Sequence, residues 1–357
     1  MDIPITRIQQ PKPKPPDDKL GFGQIFTDHM FLLDGVADTG WSNPRIVPYG
    51  PLSLEPATVG LHYAQAIFEG LKAYRSPDDK ILLFRPDRNI DRFNRSAVRL
   101  CVPPIDPELF LSALKQLVNL DQDWVPHAPG TSLYIRPVAF ACDPDLRVRP
   151  SHTYRFFIIL SPVAAYYAEG FKPLRIRVED RYVRAVRGGT GAAKTAGNYG
   201  GSLFAGEEAH KDGFAQVLWL DGVEQQYIEE VGSMNIAFVL GDELVTPPVT
   251  GTILEGVTRA SVLQLAQDFG MQVAERPITI TEVLSAARNG LLREVFGAGT
   301  AAVISPVSEL SYKDETVVVN NGQVGPLSQR LFDELSAIQR GLKPDRHGWM
   351  VEVDSSP

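Results

Sequence analysis

Strand-like and helical segments are mixed along this chain without regular strand-helix-strand alternation, and that order constrains the fold most. Runs rich in β-branched and aromatic residues predict strands at 132–140, 154–163, 174–178, 215–220 and 235–240. Amphipathic or capped segments predict helices at 88–101, 106–119 and 257–269, and near 279 and 327–340. Because a doubly wound sheet requires regular alternation, the mixture predicts an α+β fold.

The length of 357 residues predicts two domains, because single hydrophobic cores stop growing at roughly 250–300 residues. The Pro-rich stretch at 9–18 has nothing to bury, so we expect residues 1–20 to form a flexible arm. A smaller α/β domain is expected over 21–165, and an interdomain loop over 166–180, where the pattern weakens. The larger domain is expected to span 181–357.

Composition narrows the class of partner to small molecules. A net charge of −8 and a pI near 5.4 argue against a nucleic-acid partner, which requires a basic surface. Neither a secretory signal nor a membrane span of about 20 apolar residues is found, so a cytoplasmic enzyme without a membrane partner is expected. Two separated cysteines, Cys101 and Cys142, and six scattered histidines predict neither a disulfide framework nor a metal site.

A Gly-rich segment at 188–201 surrounds Lys194 with small residues, which leaves room for a planar group. A desolvated lysine can attach covalently to an aldehyde cofactor, although composition alone is equally compatible with a surface loop. A nucleotide-binding P-loop is the rival interpretation, since the motif is nearly complete. Ala193 replaces its second glycine, however, and the segment 181–187 is too basic for the buried strand that must precede it.

Six motifs occur together and in order: EGLKAYR, FRPDRNIDRFNRSAVRLC, SLYIRP, AKTAGNYGGS, EEVGSMN and EVFGAGTAAVISP, starting at residues 69, 84, 132, 193, 229 and 294. With them the chain resembles the branched-chain amino acid aminotransferases, pyridoxal-phosphate enzymes of fold type IV with the two-domain D-amino acid aminotransferase-like fold. The resemblance implies pyridoxal 5'-phosphate as cofactor, bound by the larger domain, and a homodimer with a shared active site. It also implies transamination between branched-chain L-amino acids and 2-oxoglutarate, giving branched 2-oxo acids and L-glutamate.

The resemblance also assigns cofactor-binding roles. Lys194 is the catalytic residue, which carries the cofactor and moves a proton between the substrate and the cofactor. Glu230 rather than Glu229 faces the pyridine nitrogen, and Tyr199 and Ser233 face the phenolate side. Four arginines follow one stripe of the helix at 88–101, and only the NIDR motif selects Arg92 as a phosphate ligand. The remaining phosphate ligands implied are Val257, Thr258 and Thr300.

For the substrate pocket, the resemblance implies Phe22, Tyr63, Phe68, Tyr134, Arg136, Tyr166, Thr300 and Ala301. Tyr63 is expected to come from the partner subunit, and Tyr167 is the alternative to Tyr166. Ala302 and Ser305 stand where some relatives carry a Cys-x-x-Cys pair, so thiol regulation is absent at that position.

Other functions stay open at this level. A D-amino acid aminotransferase or an aminodeoxychorismate lyase would share the fold, but SLYIRP and GAGTAA count against both. A P-loop hydrolase and a catalytically inactive binding scaffold are the remaining alternatives. The sequence does not decide between leucine, isoleucine and valine, because one methylene changes discrimination by only about 1–3 kcal/mol.

Overall fold

The structure, a computed structural model, describes residues 3–164 and 171–353. Its contacts divide the chain into two units. Unit 1 comprises Met1–Ala168, Ala193–Ala196 and Ala337–Pro357, and unit 2 comprises Glu169–Ala192 and Gly197–Ser336.

Strands supply most of the framework of both units. In chain order they are β1 His29–Val36, β2 Gly40–Pro48, β3 Ala66–Phe68, β4 Leu71–Arg75, β5 Ile81–Phe84, β6 Ser132–Ala141, β7 Thr153–Val163, β8 Leu174–Glu179, β9 Gln216–Leu220, β10 Ile228–Val231, β11 Met234–Leu240, β12 Glu243–Thr246, β13 Gln272–Glu275, β14 Leu292–Gly299, β15 Val303–Tyr312, β16 Glu315–Val318 and β17 Met350–Val353. All five strands predicted from the sequence are confirmed.

The helices are α1 Val59–Tyr63, α2 Pro86–Arg99, α3 Pro107–Leu120, α4 Ala196–Gly200, α5 Leu203–Lys211, α6 Val257–Asp268, α7 Ile280–Arg288 and α8 Pro326–Gln339. Helices α3 and α7 begin at a residue whose side chain caps the first turn. The Asp106 carboxylate accepts the Leu109 N–H at 2.8 Å, and the Thr279 hydroxyl accepts the Glu282 N–H at 3.1 Å. Each side chain therefore satisfies an otherwise unpaired N–H at a helix start.

Unit 1 is built on an antiparallel sheet with the order β17-β5-β4-β6-β7-β1-β2, and β3 pairs with β6. Helices α2 and α3 pack against it through three rings, Phe93, Phe110 and Phe156, whose centroids lie 5.0–5.4 Å apart at steep angles. Edge-to-face packing of this kind stabilises a core beyond simple area burial. The strand that carries Phe156 also pairs with β6 along its whole length.

Unit 2 is a mixed sheet with the order β10-β9-β8-β15-β14-β11-β12-β13. Strand β10 pairs with both β9 and β11, which closes a ring of six strands. The pairs β8–β9, β8–β15 and β12–β13 are parallel, and the other pairs are antiparallel. Helix α7 covers this sheet through the buried side chains of Ile280 and Val283. The mixture confirms the α+β prediction.

The amino-terminal arm is extended, as expected, but it is anchored to unit 1 rather than detached from it. Ile3 is 1% exposed. The Lys12 ammonium donates to the Thr27 carbonyl at 2.6 Å, and Asp17 accepts two backbone N–H groups from 127–128 at 3.0 and 2.8 Å. Residues 9–18 bury no side chain, as expected, and the arm is held by Ile3 and by isolated polar contacts, which no periodicity in the sequence predicts.

The unit boundaries also differ from the expected ones. Residues 337–357 belong to unit 1, because β17 pairs with β5, with Met350 opposite Phe84. Residues 193–196 join unit 1 as well. The expected interdomain loop at 166–180 contains β8, which belongs to the sheet of unit 2.

Across the described ranges, the helices are too short or too polar to span a membrane. No cluster of three potential metal ligands occurs among the same residues.

Candidate active site

The backbone around Lys194 is held on both sides by unit 1. Its carbonyl accepts the Phe68 N–H at 3.0 Å, and its own N–H donates to the Ser96 hydroxyl at 2.9 Å. The next residue, Thr195, donates its hydroxyl to the Ala66 carbonyl at 2.8 Å. The segment therefore runs beside β3 with a fixed backbone. The Lys194 amine lies 5.0 Å from the centroid of the Phe68 ring.

Burial distinguishes the four arginines of the α2 stripe. Arg92 is 4% exposed, whereas Arg88, Arg95 and Arg99 face solvent. The guanidinium of Arg92 meets the carboxylate of Glu69 through two contacts, Nε to Oε1 at 2.6 Å and Nη2 to Oε2 at 2.9 Å. This paired geometry fixes the plane of the guanidinium. Burial thus marks the same arginine that the NIDR motif selects.

Glu69, which sequence reasoning did not single out, is the anion that organises this region. Its side chain is 0% exposed and also accepts the Asn89 amide at 2.9 Å and the Gly70 N–H at 3.0 Å. Burial raises the pKa of Glu69, but Arg92, Lys194 and Asn89 together lower it further, so the pKa lies below its ordinary value. The only sequence signal was its position at the start of the EGLKAYR motif.

Three predicted substrate residues cluster around Arg136. Its guanidinium carbon lies 4.8 Å from the Phe68 ring centroid and 5.2 Å from that of Tyr134, and Nη2 donates to the Tyr134 hydroxyl at 2.9 Å. The Phe22 ring meets Tyr134 edge-on at 5.2 Å. In the part of the chain that the structure describes, the buried Nε of Arg136 has no hydrogen-bond partner. A cation with an available donor therefore lies among aromatic rings.

Gly70 is required by the position of the Tyr134 hydroxyl. A Cβ at residue 70 would lie 2.1 Å from that oxygen, which is far closer than contact distance. The absence of a side chain there leaves room for the Tyr134 hydroxyl, which accepts a hydrogen bond from Arg136.

The other predicted tyrosines are placed differently. Tyr63 is 42% exposed and donates its hydroxyl to the Leu146 carbonyl at 2.6 Å. Tyr166 and its alternative Tyr167 lie outside the described residues.

In unit 2, Glu230 is a buried carboxylate on β10 with two partners, a backbone N–H and a guanidinium. Its Oε1 accepts the Leu254 N–H at 2.7 Å, and its Oε2 lies 3.2 Å from Nε of Arg184. Arg184 also donates to the carbonyls of Gly191 and Thr252. Sequence reasoning missed Arg184, although it belongs to the basic segment that precedes the Gly-rich segment.

Glu229 differs from its neighbour in environment, although both are buried. Consecutive strand residues project to opposite faces of a sheet. Its Oε2 has no hydrogen-bond partner within the described ranges. Burial raises the pKa of Glu229, and the Thr252 hydroxyl and Arg184 lower it by less, so the pKa lies above its ordinary value. Of the two glutamates, Glu230 has the contacts expected of a retained anion.

The start of α6 offers backbone donors to an anion. Gly256 is its N-cap, no side chain caps the helix, and Val257 and Thr258 form its buried first turn. A Cβ on Gly256 would lie 1.9 Å from Oδ1 of Asn235, whose amide donates to the Leu254 carbonyl at 2.9 Å. An uncapped helix start with a buried hydroxyl suits a phosphate group.

Two turns lie at the same end of neighbouring strands of unit 2. Ser233 lies in the turn that joins β10 to β11, and Thr300 and Ala301 lie in the turn that joins β14 to β15. Because Asn235 pairs with Ala298, both turns project from one end of the β11–β14 pair. The structure thus brings three predicted residues to one end of this sheet.

The Gly-rich segment lacks the structure of a P-loop. Residues 181–187 form no strand, and α4, which carries the half-buried Tyr199, is only five residues long. Instead the Asn198 amide donates to the Thr190 carbonyl at 2.8 Å, and the Thr190 hydroxyl donates to Asn198 Oδ1 at 2.7 Å. The segment is a turn held by side-chain hydrogen bonds, so the P-loop interpretation is wrong.

Enzymes that bind a phosphorylated aldehyde cofactor need a lysine, a buried carboxylate and an anion-binding helix start. Unit 1 supplies the lysine on a fixed backbone, and unit 2 supplies the carboxylate and the uncapped helix start. The family described as amino-transferase class IV matches residues 66–310, and the chain belongs to this family. It is 57% identical over 351 residues to branched-chain-amino-acid aminotransferase 2 of Bacillus subtilis (strain 168), covering 98% of this chain and 96% of that protein.

Solved structures agree with the sequence match. The branched-chain amino acid aminotransferase of Escherichia coli superposes with a TM-score of 0.76 at 27% identity, covering 92% of this chain and 99% of that one. The T.th. branched-chain amino acid aminotransferase with pyridoxamine 5'-phosphate gives a TM-score of 0.75 at 27% identity, covering 90% of this chain and 98% of that one. The fold type IV prediction is confirmed.

Proposed function

We propose that the protein transfers the amino group of branched-chain L-amino acids, namely leucine, isoleucine and valine, to 2-oxoglutarate, using pyridoxal 5'-phosphate. The products are branched 2-oxo acids and L-glutamate. The observation that carries this proposal is 57% identity over 98% of the chain to a branched-chain-amino-acid aminotransferase. The site residues below are part of the proposal, and the contacts of each unit support them.

Lys194 is the proposed catalytic residue. Its amine would hold pyridoxal phosphate covalently, and the bound cofactor would supply an electron sink for the pair released at the substrate α-carbon. Lys194 then moves the proton at that carbon, which requires a base held within hydrogen-bond reach. The hydrogen bonds of its backbone to Phe68 and Ser96 support this role, because they leave only the side chain to move.

The remaining proposed cofactor residues fall into three groups, which would contact the phosphate, the pyridine nitrogen and the phenolate side. Arg92 and the α6 start, through Val257 and Thr258, would hold the phosphate, together with Thr300. Glu230 would face the pyridine nitrogen and keep it protonated, and its contacts to Leu254 and Arg184 support an anion there. Tyr199 and Ser233 are assigned to the phenolate side.

Arg136 is the proposed reader of the second carboxylate of glutamate and 2-oxoglutarate. One pocket must accept an aliphatic side chain in one half-reaction and a carboxylate in the other, and an unpaired carboxylate in an apolar pocket costs several kcal/mol. The available Nε of Arg136, beside the Tyr134 hydroxyl, supports this role. Phe22 and Phe68 would supply apolar walls, with Ala301 and Tyr166 assigned by family resemblance.

A homodimer is the proposed assembly, with Tyr63 entering the partner's site. Tyr63 is exposed, and its hydroxyl contacts the carbonyl of Leu146. Leu146 is exposed as well, and so are Leu61 and Val148, which are near these two residues in the chain. Clustered exposed apolar side chains are typical of interaction surfaces. The net charge of −8 argues against nucleic-acid partners, and a cytoplasmic location is part of the proposal.

Glutamate formation from single amino donors tests the proposal. The purified holoenzyme is mixed with 2-oxoglutarate and L-leucine, L-isoleucine or L-valine, and glutamate is measured. We expect each L-donor to be used, and D-leucine and D-alanine to be inert. Faster turnover of either D-amino acid would contradict the proposal and favour a D-amino acid aminotransferase.

A further inference from the structure

Unit 2 contains a cavity of about 460 Å³ that the proposed reaction does not use. Its apolar lining includes Tyr227, Pro247 and Ile253, and its polar lining includes Thr252 and Glu229. Glu230 does not line it. The volume lies within the range of small-molecule sites in proteins, about 300–1,000 Å³.

Glu229 supplies the cavity with a buried carboxyl group, one oxygen of which has no hydrogen-bond partner among the described residues. The residue is 5% exposed, and that oxygen is Oε2. A buried carboxylate oxygen without a partner is costly, so a ligand that donates to it gains more than it would at a solvated carboxylate. The raised pKa of Glu229, caused mainly by burial, agrees with an unmet demand for a donor.

The other charged residues of the cavity make its lining negative overall, but their oxygens do not compete with Glu229 for a ligand's donor. Asp221 accepts four backbone N–H groups, from Val223, Glu224, Gln226 and Tyr227, at 2.8–3.1 Å, so its acceptors are already used. The side chains of Glu224 and Arg187 lie at the exposed rim. The lining therefore carries three carboxyl groups and the guanidinium of Arg187, while Arg184 acts on Glu229 from outside the lining. Of the three carboxyl groups, only Glu229 combines burial with an oxygen that has no hydrogen-bond partner among the described residues.

We propose that this cavity binds a small organic cation whose amidinium or guanidinium head donates to Glu229 and whose apolar body lies against Tyr227, Pro247 and Ile253. An amidinium head can donate an N–H group to Oε2 of Glu229 and carries the positive charge that strengthens such a hydrogen bond. The ring of Tyr227 and the proline face accept a flat hydrophobic body.

Calorimetric titration of the holoenzyme with benzamidinium chloride tests the proposal, since an amidine does not react with the cofactor as a primary amine would. We expect one saturable site per chain in the wild type. E229Q should bind at least about tenfold more weakly, and E224Q, which changes a rim carboxylate, should bind within about twofold of the wild type. Neutral benzamide, which has almost the same shape, should give no saturable heat.

A second variant tests the cavity without altering its charge. Thr250 lies at the exposed rim of the cavity, and T250F should fill it and abolish binding while Glu229 is intact. Unchanged affinity in either E229Q or T250F would overturn the proposal, as would the absence of a saturable site in the wild type, equal binding of benzamide or tighter binding of benzoate.

Discussion

Glu69→Gln tests whether the buried anion of unit 1 stabilises the fold. The substitution keeps the side-chain size but removes the charge that meets Arg92 at 2.6 and 2.9 Å. Both partners are almost fully buried, so the remaining guanidinium would be left without its anion. Breaking a buried pair by removing one partner costs about 3–5 kcal/mol.

Thermal unfolding followed by circular dichroism measures this cost. Unit 1 has about 190 residues, and for a domain of that size each kcal/mol lowers Tm by about 2–4 °C. We therefore expect Glu69→Gln to lower the Tm of unit 1 by roughly 6–20 °C at neutral pH. Glu352→Gln is the matched control, since it removes the exposed pair with Lys80 and should leave Tm unchanged.

The same variant predicts a pH dependence. The pKa of Glu69 is lowered in the folded state from an ordinary value of 4.5, so its ionised form stabilises the fold above that value. The contribution is lost as pH falls through the lowered pKa, and glutamine does not titrate. The Tm difference between wild type and variant should therefore shrink below about pH 4.5. A Tm equal to that of the wild type at neutral pH would refute the reasoning.

Three further predictions concern the reaction. Lys194→Ala should abolish transamination, and borohydride reduction followed by peptide mass mapping should find the cofactor on Lys194 in the wild type; label on the buried Lys72 instead would reject the assignment. Glu230→Gln should slow α-proton exchange measured by deuterium uptake from water, whereas Glu229→Gln should not; equal slowing in both would mean that the wrong neighbour was chosen. Arg136→Met should depress the half-reaction with glutamate far more than that with leucine in single-turnover spectroscopy, and an equal loss in both would make Arg136 a structural support.

Local chemistry was readable from the sequence because it acts over a few residues. The helices at 106–119 and near 279 were predicted from a few consecutive residues, and the side chains of Asp106 and Thr279 cap them in the structure. The α6 helix was likewise predicted from the residues around Gly256. Such signals depend on spacing within one turn, so tertiary structure does not alter them.

Contacts between distant segments were not readable. The Ser96 hydroxyl that holds Lys194 comes from 98 positions earlier, and no periodicity links the two. The burial of Arg92, unlike that of its three stripe neighbours, depends on which side of α2 meets the sheet. The basic segment at 181–187 was correctly taken as a non-strand, yet the pairing of Arg184 with Glu230 requires strand β10 to be folded against it.

The missing side chain at Gly70 has a consequence for enzyme engineering. Since a single added carbon there would overlap the Tyr134 hydroxyl, residue 70 controls whether that hydroxyl can reach Arg136. An alanine at this position would displace the Tyr134 hydroxyl and break its hydrogen bond with the Arg136 guanidinium. Libraries that aim to enlarge or reshape the substrate range should therefore vary residues 70 and 134 as a pair. A side chain at residue 70 alone would remove the space that the Tyr134 hydroxyl occupies, and a change at residue 134 alone would remove the hydroxyl for which that space is suited.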